Sequence, residues 1–134
     1  MSRGELPVLR VVSAEIHRDG RYLITQRSSH GVLPLLWEFP GGRVREGETD
    51  GQALRRSVRE RIGVEVEVQD LLMEVDHAYD EYRVCLAVYR CGLGGSEPRA
   101  AAVSALAWVK PDEFADYPFP GADQQTVDQL LQEA

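Results

Sequence analysis

A predicted helix in the middle of the chain carries a carboxylate and a guanidinium side by side on one face. Ser57, Glu60 and Arg61 occupy positions i, i+3 and i+4, and residues at this spacing lie on the same face of a helix. Glutamate oxygens are ligands that hard divalent cations such as Mg²⁺ accept, whereas a guanidinium binds phosphate oxygens bidentately. This face therefore combines a residue type that binds cations with one that binds anions.

The residues around this face predict a helix from Asp50 to Ile62. Thr49 and Gln52 have the spacing of a capping box at its start. Gly63 stands where a left-handed residue often ends a helix. Apolar residues recur at helical spacing and predict a buried stripe, which consists of Ala53, Leu54, Val58 and Ile62.

Strands are predicted on both sides of this helix. Asp19-Gly20 is a strong hairpin signal between two apolar runs, and Pro40-Gly41-Gly42 is expected to forbid regular structure. The predicted strands are Val8–His17, Tyr22–Arg27, Val64–Val75, Tyr82–Arg90 and Ser104–Val109, followed by a short helix at Pro111–Ala115 and a closing helix at Ala122–Gln132. This order predicts an α/β (α+β) fold with one main mixed sheet between helices.

The composition is that of one globular domain. The chain has 134 residues, 43% of them hydrophobic, and a formal net charge of −7. No apolar run approaches the roughly 20 residues that span a bilayer, and two cysteines alone suggest a reducing cytoplasm. The acidic balance argues against binding to duplex nucleic acid, which depends on Lys and Arg, but not against a small phosphorylated ligand.

The segment from Gly42 to Val64 resembles the Nudix box, G-x5-E-x7-R-E-U-x-E-E-x-G-U, where U is apolar. Seven of its nine defined positions match, namely Gly42, Glu48, Arg56, Val58, Glu60, Gly63 and Val64. Trp37–Gly42 and the run from Trp108 to Asp123 are similar to the MutT-like branch, especially to members that act on CTP and modified pyrimidine nucleotides. The resemblance implies a single Nudix domain over residues 1–134, folded as an α/β/α sandwich with a mixed β-sheet between helices.

The same resemblance implies a function and a set of site residues. Members of this branch hydrolyse a nucleoside triphosphate to a nucleoside monophosphate and pyrophosphate with Mg²⁺ or Mn²⁺. The implied catalytic residues are Glu48, Arg56 and Glu60, the implied metal-binding residues are Glu60 and Gly41, and the implied substrate-binding residues are Arg27, Glu38, Phe39, Arg61 and Asp123.

Several of these residues have a second interpretation that stays open. Glu60 has the spacing to pair with Arg56 on the helix surface, and Glu48 is expected to orient the loop and Arg56. Phe39 has the character of a core residue. Asp123 has the character of a helix N-cap.

This chain departs from the box where the chemistry resides. The family has glutamate at the positions of Ser57 and Arg61, and often a further carboxylate at that of Ala102. A guanidinium is always charged and would oppose a cation, so we expect metal binding to be weak or lost and Arg61 to take over part of the cation's role.

Three functions follow: a weakly active triphosphate hydrolase, an inactive nucleotide-binding or sensor protein, and, less favoured, a base-recognition module. The sequence leaves open the base, a homodimer, and whether Asp76, Asp80 or Glu81 supplies a replacement carboxylate.

Overall fold

A computed structural model describes residues 6–29, 35–119 and 121 of the chain. Strands and helices follow the α+β order that the sequence predicts. The strands are β1 (Val8–Glu15), β2 (His17–Arg18), β3 (Arg21–Gln26), β4 (Trp37–Glu38), β5 (Gly41–Arg43), β6 (Glu67–Ala78), β7 (Arg83–Gly92) and β8 (Ala105–Val109), and the helices are α1 (Asp50–Ile62) and a short 3-10 helix (Pro111–Asp116).

The described strands form two sheets. The larger is mixed, with the order β5-β1-β7-β6, in which β1 and β7 run parallel and the other neighbours antiparallel. The smaller is antiparallel, with β3 pairing with β2, β4 and β8. The α+β class and the mixed sheet are confirmed, and the smaller sheet is an addition that strand prediction alone does not separate from the larger one.

Helix α1 begins and ends at the predicted residues, because its signals are local. The Thr49 hydroxyl accepts from the Gln52 N–H at 3.1 Å, and the Gln52 side chain accepts from the Thr49 N–H at 3.0 Å. Gly63 ends the helix with φ of 70°, in the left-handed region that glycine tolerates. The predicted stripe of Ala53, Leu54, Val58 and Ile62 is fully buried in one cluster with side chains of β1 and β3.

The expectation that Pro40-Gly41-Gly42 forbids regular structure is wrong. Gly41–Arg43 forms β5 and pairs antiparallel with β1, with Gly41 opposite Ser13. A Cβ atom at Gly41 would collide with the carbonyl oxygen of Val12. The glycine therefore permits a close backbone approach that a turn-based interpretation overlooks.

The strand predicted at Val8–His17 is instead two strands, β1 and β2, which belong to different sheets, and the other predicted elements differ mainly at their ends. The Asp19-Gly20 hairpin is confirmed, and both residues have positive φ. Strand β6 starts at Glu67 and extends to Ala78, and β7 continues through Cys91 and Gly92, beyond the predicted end at Arg90. The closing helix predicted at Ala122–Gln132 lies outside the described residues. Within the part of the chain that is described, no helix combines the length and the hydropathy of a membrane span.

Replacing Thr49 with alanine should lower the free energy of unfolding by about 1 kcal/mol, because the Gln52 N–H then loses its partner at the helix start. Urea denaturation would measure the loss. Ser96→Ala removes a hydroxyl from an exposed loop residue and should stay within about 0.5 kcal/mol of the wild type. Equal effects of the two substitutions would contradict the capping role.

Candidate functional site

Glu48 and Arg56 tie the loop after β5 to helix α1. Arg56 donates from Nε and Nη2 to the two carboxylate oxygens of Glu48, at 2.7 and 2.9 Å, and also from Nη2 to the Arg43 carbonyl oxygen at 2.9 Å. The N–H of Arg45 donates to Glu48 at 2.8 Å. The Arg56 hydrogen bonds, followed by that from Arg45, lower the pKa of Glu48 to about 2, so this carboxylate holds the loop in its ionised form.

Glu60 makes the helix-surface pair that its spacing to Arg56 allows. Its Oε1 accepts from Arg56 Nη1 at 3.0 Å, and its side chain is about half exposed. Arg56 thus binds both Glu48 and Glu60, the two carboxylates that the box retains. A metal ion at Glu60 would have to compete with this guanidinium.

Ser57 turns its hydroxyl back into the helix. The residue is 1% exposed, and its Oγ donates to the Ala53 carbonyl oxygen at 2.7 Å. A Cβ atom on Gly42 would lie 2.8 Å from the Ser57 Cβ and 3.3 Å from Arg61 Nη2. Strand β5 therefore runs directly over the face that carries Ser57 and Arg61, and it needs glycine at position 42 to do so.

Arg61 and Arg27 meet at the carboxylate of Glu38. Arg27 donates to Glu38 Oε1 from Nε at 3.0 Å, with its Nη2 at 2.9 Å from the same oxygen. The Nη1 atom of Arg61 lies 3.5 Å from Glu38 Oε2. Glu38 is 8% exposed, and its pairing with two guanidinium groups offsets the cost of burying its charge.

The backbone of the loop before β8 joins the same end of α1. The N–H groups of Ala101 and Ala102 both donate to the carbonyl oxygen of Arg61 at 3.0 Å. Ala102, where the resemblance places a further family carboxylate, therefore lies beside Arg61, and its methyl side chain offers no metal ligand.

The remaining predicted site residues, two for the substrate and one for the metal, are Phe39, Asp123 and Gly41. Phe39 is 1% exposed and packs in an aromatic cluster, edge-on to Phe114 and stacked with Phe119 at 5.8 Å between ring centroids. The backbone of Gly41 belongs to β5. Asp123 lies outside the described residues.

The described residues do not fit a magnesium site of the family kind. Ser57 and Ala102 carry no carboxylate, Arg61 carries a positive charge, and Glu60 is paired with Arg56. Among the described residues, no group of three or more His, Cys, Asp or Glu side chains could hold a metal ion. This set includes Asp76, Asp80 and Glu81, and Asp76 pairs with Arg83 at 3.8 Å.

Sequence reasoning named Glu38 and Arg61 separately and missed their ion pair. The two residues belong to β4 and α1, and their contact depends on how the sheets and the helix pack. The sequence feature that could have indicated this pair was Arg61, an arginine where the box has glutamate, together with an acidic residue, Glu38, shortly before Gly41-Gly42.

Comparisons with known proteins agree with this architecture. A family model described as a NUDIX domain matches residues 11–129. The CTP pyrophosphohydrolase of Escherichia coli K12 is 32% identical over 118 residues, which cover 88% of this chain and 87% of that protein. The nucleoside triphosphatase NudI of Salmonella arizonae is 29% identical over 87% of this chain and 92% of its own length. A MutT NUDIX hydrolase structure from Burkholderia pseudomallei has a TM-score of 0.82 at 28% identity, over 92% of this chain and 98% of that one.

Replacing Glu48 with glutamine should destabilise the fold at neutral pH, because Arg56 Nε and Nη2 then lose the charged carboxylate to which both donate. The folded-state pKa of Glu48 is about 2, below its ordinary value of 4.5. The stabilisation is therefore fully present above pH 4.5 and is lost as the pH falls through about 2.

Urea midpoints measured at a series of pH values should converge for the wild type and Glu48→Gln as the solution becomes acidic. Glu65→Gln serves as the control, because it removes the same charge from an exposed pair with Arg59 that contributes little. A gap that stays constant down to pH 2 would show that the carboxylate charge is not what holds Arg56.

Proposed function

Because this chain belongs to the Nudix family, in its MutT-like branch, we propose that it binds the triphosphate of a nucleotide through Arg61, without a divalent ion, and hydrolyses it slowly. The observation that carries the proposal is the guanidinium of Arg61 beside Gly42 of β5, on the helix face where the box has carboxylates. The proposal covers the single domain of 134 residues.

The charge of this face supports phosphate binding in place of metal binding. The family has carboxylates at the positions of Ser57, Glu60, Arg61 and Ala102, whereas here one glutamate and one arginine cancel. The Arg61 side chain is 38% exposed, so its guanidinium is within reach of a ligand. Its planar donors match phosphate oxygens and stay charged at every relevant pH.

The chain's own residues explain why hydrolysis should be slow. A divalent ion in this family neutralises the phosphates and helps to activate water, and the residues here do not fit such an ion. Arg61 supplies positive charge, so it can bind and orient the phosphates. Water activation needs a base, and Glu60, the carboxylate left on this face, is engaged by Arg56.

A nucleotide-binding sensor without turnover is the second candidate. It is favoured by the Ser57 hydroxyl, which is committed to the Ala53 carbonyl oxygen, and by the methyl group at Ala102. Pyrophosphate release from a nucleotide panel, measured in EDTA and with Mg²⁺ or Mn²⁺, separates the two candidates: slow release supports the hydrolase, and no release above the uncatalysed rate supports the sensor. Turnover of about 1 to 1000 per second, as in enzymes of ordinary activity, would contradict both.

The proposed contacts with the nucleobase come from the Nudix resemblance, and the proposal does not specify which nucleobase is bound. Arg27, Phe39 and Asp123 are the proposed base-side residues. Phe39 is buried among aromatic rings, so a base would contact it only through the margin of that cluster. The names of two relatives specify CTP and nucleoside triphosphates in general, and a test panel should include CTP, dCTP and purine counterparts.

Triphosphate binding should survive removal of divalent ions. Calorimetric titration of the wild type with the tightest ligand of the panel should give dissociation constants within about threefold of each other in excess EDTA and in Mg²⁺. Arg61→Glu should raise the dissociation constant measured in EDTA by about tenfold or more, because a charge-assisted hydrogen bond contributes about 1.5–3 kcal/mol to binding.

Arg59→Glu is the matched control. It makes the same change of charge on the same helix, at an exposed residue that pairs with Glu65, and should alter the affinity by less than about twofold at moderate salt. Complete loss of wild-type binding in EDTA, or equal losses in both variants, would contradict the role of Arg61.

A further inference from the structure

Glu38 is a buried carboxylate that stands between the two arginines of the proposed site. It is the last residue of β4, and Phe39 and Pro40 separate it from β5. Its side chain is 11% exposed, against 27% for Arg27 and 38% for Arg61. The carboxylate therefore lies inside, and Arg61 is the more accessible of its two partners.

The two contacts of this carboxylate are unequal. Arg27 contacts Oε1 with two nitrogen atoms: Nε donates a charge-assisted hydrogen bond at 3.0 Å, and Nη2 lies 2.9 Å from the same oxygen in the ion pair. Arg61 approaches Oε2 with one nitrogen at 3.5 Å, beyond the usual range for such a bond. Arg27 is the firm partner, and the contact with Arg61 is the one that a ligand can replace.

We infer that Glu38 is the internal counter-anion of Arg61: it pairs with Arg61 in the free protein, and a phosphate group of the ligand displaces it while Arg27 keeps Glu38 in place. This inference rests on the proposed function, because it concerns how that phosphate site is occupied before the ligand arrives. It assigns Glu38 a role in setting affinity, distinct from the base contact that family position implies.

The arrangement selects for ligands of high charge. A ligand must interact with Arg61 more favourably than the Glu38 carboxylate does. That interaction must also outweigh the repulsion between the ligand and the negative charge of Glu38 nearby. A triphosphate chain offers several oxygens and several charges, whereas orthophosphate offers few. Glu38 should therefore lower the affinity for every anion and exclude weakly charged ones almost completely.

Inorganic tripolyphosphate in EDTA is the probe that isolates this role from the base. Titration calorimetry should show that Glu38→Gln binds tripolyphosphate about three- to tenfold more tightly than the wild type and gains measurable affinity for orthophosphate. In an Arg61→Gln background, the same Glu38→Gln change should give less than a twofold gain, since the group that Glu38 competes for is absent.

Glu97→Gln is the matched control for net charge. Glu97 pairs with Arg18 in an exposed bidentate contact, and its substitution also removes one negative charge. It should change tripolyphosphate affinity by less than twofold. Far-UV circular dichroism and a thermal melt establish that each variant is folded.

Unchanged or weaker binding by Glu38→Gln would overturn the inference and make Glu38 a positioning residue for the two arginines. A gain that persists in the Arg61→Gln background would overturn it as well. If Glu38→Gln fails to fold, Glu38→Asp replaces it, because the shorter side chain draws the carboxylate away from Arg61. An affinity gain of at least twofold is then expected, and no gain overturns the inference.

The same titrations separate this inference from the proposed function. If neither the wild type nor any variant binds tripolyphosphate or a nucleotide, the phosphate site itself is wrong, and both fall. If the wild type binds in EDTA and loses binding with Arg61→Gln, but Glu38→Gln brings no gain, the proposed function stands and the role of Glu38 alone is overturned.

Discussion

The permanent charge of the Arg61 guanidinium is the constraint on which the rest of the site depends. A group that cannot be neutralised by losing a proton must be paired or exposed, and here it is both, with Glu38 at 3.5 Å and about a third of its side chain exposed. Gly42 has to lack a side chain here, because a Cβ atom would lie 2.8 Å from the Ser57 Cβ and 3.3 Å from Arg61 Nη2. A metal site built from neighbouring carboxylates is incompatible with a positive charge at this position.

In this chain, the box residues that hold the structure together are retained, whereas most of those at the family's metal-binding positions are replaced. Six of its matching residues have structural roles in the described contacts, since they permit the approach of β5 to the helix, hold the loop, form buried contacts or end the helix: Gly42, Glu48, Arg56, Val58, Gly63 and Val64. Glu60 is the one matching residue on the chemical face. The fold therefore persists through the Glu48–Arg56 frame, and substitutions at Ser57, Arg61 and Ala102 change the charge of the site without removing what holds it together.

Elements that depend on local signals could be predicted from the sequence, whereas contacts between distant elements could not. Helix α1 was predicted to the residue, because Thr49, Gln52 and Gly63 each act within one turn of their own position. Strand β5 was missed, because Gly41 matters through its approach to Val12 on another strand. The loss of carboxylates could be read directly from the sequence.

The pairing of Arg61 with the Glu38 carboxylate could not be predicted from the sequence. Glu38 and Arg61 meet only after β4 and α1 are in place. The accessible side of the site, and hence the ligand that it favours, follows from that pairing and not from residue identities alone.

The central claim is that this helix face has exchanged a metal for an arginine, and manganese titration of the wild-type protein tests it most directly. Electron paramagnetic resonance counts free Mn²⁺ as protein is added, with and without a nucleoside triphosphate. The account predicts no saturable site for Mn²⁺ on the protein alone at micromolar metal, and no dependence of weak binding on Glu60. One Mn²⁺ bound per chain at micromolar concentration, and lost in Glu60→Gln, would contradict it.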